Sequence, residues 1–371
     1  MSMNEQFSVS LCLIVRDEES SILSCLNSVK HLVQEIIVVD TGSQDRTASL
    51  AAQAGAKVFA LPWSGDFAHA RNYALRQAGS AWILVLDADE ILEPVSCDEF
   101  QALLAAPAVE GYFIRIKNLL GSGEGATWDE AVRLFRNKPA YRFVGAIHEQ
   151  VAGSIMAANR GQGLAHAPLV ILHHGYLERQ LTEKHKFERN TRIIQKELAN
   201  NPHDPFLLYC LALEHYQQHQ VAEGLACLEK ALVRMEGTEG YFEPLLLHLA
   251  LGLLHLGQID KLVDFATKFL TMFPNHAALL LLRGVGYVYR QEYAKACHDF
   301  EQALADSRSL PTLAQTQGLP SDYLALTARE IAVTAAAVDQ GFNLHLFPAP
   351  KMLEVLLQDL VVLVMMGGSS V

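Results

Sequence analysis

Between Val9 and about His174, short runs of Val, Ile and Leu alternate with segments whose apolar residues recur every three or four positions. The runs at 11–15, 36–39, 58–59 and 82–86 predict strands, and 22–29, 47–54 and 68–77 predict helices between them. Such alternation predicts an α/β layer structure with a largely parallel sheet. Strands that are apolar at nearly every position fit a sheet covered on both faces. Further strands are expected at 112–117, 131–136 and 169–173. A Gly-rich stretch at 121–125 lacks the phosphate-cradling pattern of a P-loop and reads as a lid or turn.

After a polar helix at 178–200 the period changes. Asn201, Pro202, His203, Asp204 and Pro205 punctuate the chain, and beyond them the pattern is helical and repeats. Units at about 205–238, 243–276 and 277–310 place small residues such as Ala212, Ala250 and Gly284 where two helices would cross. A period of about 34 with that spacing resembles the tetratricopeptide repeat. The expected organisation is an α/β domain over 1–180, a connecting helix over 181–203, three repeats over 204–310 and a helical cap over 311–371. An open repeat end must cover its apolar face, which is the reason to expect a cap.

Composition narrows the function. Half of the 371 residues are hydrophobic and 19% are charged, ample for packed cores. Lys and Arg number 29 against 41 Asp and Glu, a net charge of −12 that disfavours a nucleic-acid or anionic-membrane binder. The polar stretch 1–8 does not read as a signal peptide. The six cysteines are scattered without metal-ligand spacing, which reads as reduced thiols of a cytoplasmic protein. The apolar stretch 352–366 is shorter than the about 20 residues of a membrane span and is interrupted by Glu354 and Asp359, so a packed or dimer-forming helix is expected there.

Four polar clusters fall at the carboxyl ends of predicted strands, where open α/β sheets bind ligands. They are Val15 to Glu19, Asp40 to Thr47, Asp66 to Asn72, and Asp87, Ala88, Asp89 and Glu90. Singly, each has a plain structural explanation: a turn, a helix cap or a surface arginine. Together they carry chemistry. Two carboxylates one residue apart can approach one hard divalent cation, which shares its remaining sites with phosphate oxygens. A nearby arginine adds a planar donor fork for a diphosphate.

These motifs, in this order, resemble family 2 glycosyltransferases of GT-A fold over about residues 8–176. Arg133 to Arg136 and Phe143 to Glu149 fit the same group. The tandem with a repeat segment resembles bacterial peptide-modifying enzymes, including S-glycosyltransferases of glycosylated bacteriocins. The resemblance implies a UDP-sugar donor, with Mn²⁺ or Mg²⁺ as cofactor. It implies that Asp40 meets the uracil ring, that Val15, Asp17 and Glu18 line the nucleoside pocket, and that Arg71 sits near the diphosphate. Asp87 would contact ribose or the metal, and Asp89 would be the direct metal ligand. A histidine at the end of the last strand would complete the metal shell, and of His173 and His174 the second is favoured by strand alternation. Inversion at the sugar carbon needs a base: Glu149 is the first candidate, and Asp129 or Glu130 the fallback. A thiol acceptor would need less help, since free Cys has a pKa of about 8.5.

Three functions remain in play at this level: transfer to a peptide or protein held by the repeats, transfer to a lipopolysaccharide-core or other glycan, and a non-catalytic scaffold with a nucleotide-binding domain. The scaffold predicts an eroded acidic motif, whereas Asp87 and Asp89 are both present.

Overall fold

The alternation in the first half closes into one eight-stranded sheet in the computed structural model, which describes residues 7–120, 125–173 and 180–305. The chain divides into two units, Met1–Thr182 and Glu183–Val371. In the first unit the elements run β1 (Val9–Val15), α1 (Ile22–Val29), β2 (Glu35–Asp40), α2 (Thr47–Gln53), β3 (Lys57–Ala60), α3 (Phe67–Gln77) and β4 (Trp82–Val85). There follow β5 (Glu90–Leu92), α4 (Cys97–Leu104), β6 (Gly111–Leu120), β7 (Gly125–Arg136), α5 (Ala152–Ala158) and β8 (Leu164–His173).

Across the sheet the order is β3-β2-β1-β4-β7-β6-β8-β5. Strands β1 to β4 are parallel, as the alternation predicts. The other half corrects the expectation of a largely parallel sheet. There β7 runs antiparallel to β4 and β6, β5 runs antiparallel to β8, and β8 lies parallel to β6. The link between β6 and β7 is too short for a crossover, so those two strands must form a hairpin.

Successive residues of the central strands feed two cores. Leu11, Leu13, Trp82 and Leu84 pack on one face with Leu26 and Phe100, while Cys12, Ile37, Ile83 and Val85 pack on the other with Phe135 and Tyr141. Helix α1 forms because Ile22, Cys25, Leu26 and Val29 make one apolar stripe, and all four are buried. The capping box of Ser96 and Glu99 starts α4, which the strand-centred reading does not anticipate.

Helix α6 (Gln180–Asn200) begins at the end of the first unit and continues into the second, where three helix pairs follow: α7 (Pro205–Gln217) with α8 (Val221–Leu232), α9 (Phe242–His255) with α10 (Ile259–Leu270), and α11 (Ala277–Tyr289) with α12 (Tyr293–Ala305). The punctuation before Pro205 is a cap: Asp204 accepts from the backbone N–H of Phe206 and Leu207, both at 3.0 Å. Glycines let the helices close up. A Cβ at Gly284 would stand 2.4 Å from the Phe300 ring, and one at Gly224 would stand 2.3 Å from Tyr216. The Tyr216 hydroxyl reaches further, donating to the carbonyl of His248 at 3.1 Å and lying 2.1 Å from where a Cβ on Gly252 would be. The expected cap over 311–371, with its apolar stretch, lies outside the described residues. Among the described residues no helix is long and apolar enough to cross a membrane. All six cysteines are free thiols, four of them buried.

Two titrating groups in this unit oppose each other. Burial pushes the Glu214 carboxyl up to about 7, against a hydrogen bond from Asn190 Nδ2 at 2.7 Å. Burial pushes His248 down to about 4, against its bond to the Pro244 carbonyl at 2.8 Å. From the ordinary 4.5 of a Glu up to about 7, the folded unit holds a proton that the unfolded chain has lost, so this contribution to stability falls as pH rises. From about 4 up to the ordinary 6.5, the unfolded chain holds a proton that folded His248 refuses, so that contribution rises with pH. Each amounts to roughly 3 kcal/mol, and the two nearly cancel. Glu214→Gln is therefore expected to unmask a stability that climbs from pH 4.5 to 6.5, read as the urea midpoint of the helical signal. An unchanged slope would contradict the assignment.

Candidate active site

Because β2, β1 and β4 are parallel neighbours, their carboxyl ends open on one edge of the sheet. The loops leaving β1 and β2 are laced together there. The backbone N–H of Asp17 donates to Ser43 Oγ at 3.0 Å, that of Glu18 to Thr47 Oγ1 at 2.7 Å, and that of Gln44 to Asp17 Oδ1 at 2.6 Å. These bonds hold Asp17 at a φ of 55°, a left-handed conformation that a non-glycine residue adopts only when its surroundings enforce it. The Val15 carbonyl accepts from both the backbone and the hydroxyl of Thr41. Asp40, 8% exposed, closes its own turn: Oδ1 accepts from the N–H of Gly42 at 2.7 Å and of Ser43 at 2.8 Å.

Below β4 lies a charge cluster in which Arg71, Arg133, Glu90 and Glu149 are largely buried and Asp87 is 36% exposed. Asp87 is held by two guanidinium groups, Arg71 Nη2 at 2.7 Å and Arg133 Nη2 at 3.1 Å. Arg71 Nε also donates to Glu149 Oε1 at 2.6 Å, and Arg133 Nη2 to Glu90 Oε1 at 2.7 Å. Burial alone would raise the Asp87 carboxyl; the two arginines overcome it and hold the group well below the usual carboxylate range. Burial pushes Glu90 up to about 7, with Arg133 opposing the rise and Asp87 adding to it. Burial would lower Arg71, but Asp87 and Glu149 raise it, so it stays charged. The segment carrying Glu149 is pinned to α3. Asn72 exchanges two hydrogen bonds of 2.9 Å with the backbone of Phe143, and the Phe67 N–H donates to the Ala146 carbonyl at 2.9 Å.

Asp89 stands beyond this cluster, its side chain 23% exposed, with Oδ2 3.1 Å from His173 Nε2 at the end of β8. The other ring nitrogen of His173 lies 2.7 Å from Asn118 Oδ1, and Asn118 Nδ2 donates to Asp129 Oδ2 at 2.5 Å. Burial would lower His173, but its hydrogen bond to Asp89 and the charge of that carboxylate raise it. Glu130 points to the opposite side of β7, paired with His166 at 2.7 Å. Among the described residues no three His, Cys, Asp or Glu side chains form a ready-made metal cage.

Residues 10–165 match the family model described as glycosyl transferase family 2. A TPR repeat-containing protein of Synechococcus elongatus is 35% identical over 260 residues, covering 69% of this chain and 64% of its own length. Residues 10–165 are a family 2 glycosyltransferase domain. The glycosyltransferase SunS encoded in the SPbeta prophage of Bacillus subtilis is 26% identical over 227 residues, or 59% of this chain and 52% of its own. An uncharacterized glycosyltransferase of Rickettsia felis is 38% identical over 104 residues, or 28% of this chain and 36% of its own. The matched regions thus span from about a third to just under two thirds of these relatives. A solved glucosyl-3-phosphoglycerate synthase from Mycobacterium tuberculosis, in complex with Mn²⁺ and UDP-glucose, overlaps with a TM-score of 0.36 at 17% identity, over 54% of this chain and 83% of that one. So loose an overlap carries no argument about ligands here.

Within the glycosyltransferase domain the structure gathers Arg71, Asp87 and Glu149 into one cluster, and links Asp17, Glu18 and the turn after Asp40 into another. It presents Arg71 differently from the expectation of an open diphosphate fork: the side chain is 8% exposed and holds two carboxylates. Asp87 likewise has both oxygens engaged by arginine, although its side chain is 36% exposed, which leaves Asp89, paired with His173, as the other member of the acidic pair. Of the histidine doublet, His173 meets Asp89, whereas His174 lies outside the described residues. Asn118 was not anticipated, Arg133 was named only within a family motif and given no role, and His173 was the less favoured of the histidine doublet. The available signal was polarity out of place: Arg133 interrupts an apolar strand, and Asn118 is 2% exposed.

Proposed function

We propose that this chain is an inverting glycosyltransferase that moves a sugar from a UDP-sugar to a peptide or protein, with Mn²⁺ or Mg²⁺ as cofactor. The observation that carries the reading is the pair of Asp89 and His173, an oxygen and a nitrogen donor side by side at the ligand edge of a family 2 domain. The donor set fits a small divalent cation that takes few protein ligands and fills its remaining sites from a diphosphate. When bound between such ligands, the cation would offset charge building on the departing diphosphate.

The chain's own residues do the rest. Asp40 commits Oδ1 to its turn, so Oδ2 is the oxygen available to accept from a uracil N–H. Asp17 and Glu18, locked by the laced loops, line the nucleoside side. Arg71 and Arg133 position Asp87 without meeting substrate. The acceptor attacks the sugar carbon opposite the diphosphate, which leaves with the bonding electron pair, and the acceptor's proton passes to a base. Glu149 is the candidate, through Oε2, because Oε1 is tied to Arg71; Asp129 is engaged with Asn118, and Glu130 faces the other side of its strand. Six free thiols fit a reducing compartment such as the cytoplasm. The helix pairs suit an extended peptide, a reading supported by the repeat-containing Synechococcus relative and the Bacillus glycosyltransferase.

UDP with Mn²⁺ is expected to raise the unfolding temperature, equivalent to about 2.7 kcal/mol at a hundredfold excess over Kd, and EDTA should remove the gain. No stabilisation under either condition would argue for the scaffold. Mass spectrometry of peptides from neighbouring reading frames, co-expressed with the enzyme, identifies the acceptor, and NMR of the product anomer tests inversion.

A further inference from the structure

The three strands β7, β6 and β8 lie side by side, and each places one polar residue on the same face near the Asp89 edge: Asp129, Asn118 and His173. Asn118 pairs in register with His173 and is almost fully buried. The chemistry of the chain of bonds runs one way. An ionised carboxylate only accepts, so Asp129 takes an N–H of Asn118 and fixes which way that amide points. The amide oxygen, now facing His173 at 2.7 Å, also only accepts, so the proton of the neutral ring must sit on Nδ1. The lone pair is then on Nε2, which faces Asp89 at 3.1 Å. Two electron-rich atoms at that distance require a positive species between or upon them.

We propose that Asp129 and Asn118 are positioning residues that hold His173 in its Nδ1–H tautomer, so that Nε2 and Asp89 together present two lone-pair donors to a divalent cation. The inference rests on the proposed cation site but concerns residues that would not touch the cation. It also gives Asp129 a role other than that of base. Outer partners of this kind commonly set metal affinity by 10–100-fold. A merely structural Asn118, satisfied by its neighbours, would leave the tautomer and the affinity indifferent to the charge on Asp129.

The test uses the full chain with ¹⁵N-labelled histidine, without metal, at a pH where the ring is neutral. Nitrogen shifts of His173 are expected to report the Nδ1–H form in the parent protein. Asp129→Asn keeps the shape but frees the Asn118 amide to turn over. It should mix the tautomers and weaken Mn²⁺ binding, measured calorimetrically with UDP present, by about 10-fold. The exchanged double variant N118D/D129N restores an acceptor facing Nδ1 and a donor behind it, and should recover both readouts. An Nε2–H ring in the parent, or an unchanged tautomer and affinity in Asp129→Asn, overturns the proposal. If the parent binds no Mn²⁺ with UDP, the proposed function fails, while the nitrogen spectrum still decides the relay.

Discussion

Asp89→Asn is expected to lower kcat for sugar transfer by about 10³-fold while leaving the unfolding temperature within a few degrees of the parent. The asymmetry follows from pairing. Asp87 is locked between two arginines, so changing it would break an ion-pair network that reaches Glu149 and Glu90; Asp89 pairs with His173. Replacing its carboxylate by an amide therefore strands no buried charge. What would be lost is an anionic oxygen for the proposed cation, and a cation's stabilisation of a leaving diphosphate is a matter of several kcal/mol, where about 4 kcal/mol corresponds to 10³ in rate. Turnover of a UDP-sugar and the thermal midpoint are the two measurements. A variant that keeps more than a tenth of parental kcat would sink the assignment of Asp89.

The second large effect is on stability. Arg71→Met is expected to cost about 3–5 kcal/mol and to lower the midpoint of the α/β unit by roughly 10 °C. Methionine fills much of the space, so the loss comes from leaving the buried carboxylate of Glu149, and that of Asp87 beside it, with less positive charge. Removing those charges as well, in R71M/D87N/E149Q, should recover part of the loss, since a buried carboxylate that has lost its partner costs more than an amide in the same place. If Arg71→Met unfolds at the parental temperature, the cluster contributes no stability and its purpose is wholly chemical.

Much of the architecture could be read before any coordinates, for physical reasons visible at particular residues. Helix α1 shows one clean apolar stripe, and β1, β2 and β4 are apolar at almost every position because both of their faces are covered. Pro205 and Asp204 mark the first helix of the second unit through a cap that needs those residue types. The mixed half of the sheet was less legible. Strand β5 is three residues long, too short to show a period, and the direction of β7 depends on its pairing rather than on its own composition. The site divides in the same way. Asp40, Asp87 and Asp89 stand in short local motifs, whereas the partners that decide what they can do arrive from distant strands: Arg133 from β7, Asn118 from β6 and His173 from β8. Local spacing cannot reveal that Asp87 is shared between two arginines, because that depends on which strands become neighbours.

The side chain of Tyr216 belongs to α7, presses its ring against Gly224 of α8 and sets its hydroxyl on the backbone of α9. It thus acts as a pin driven through two successive helix pairs. Pairs that merely stack on flat apolar surfaces can slide and rotate past one another as the superhelix breathes. Pinned ones share a fixed pitch. From α7 to α9, any change of shape must therefore come from side chains, because the coil cannot be wound or unwound there without first withdrawing a tyrosine from its slot.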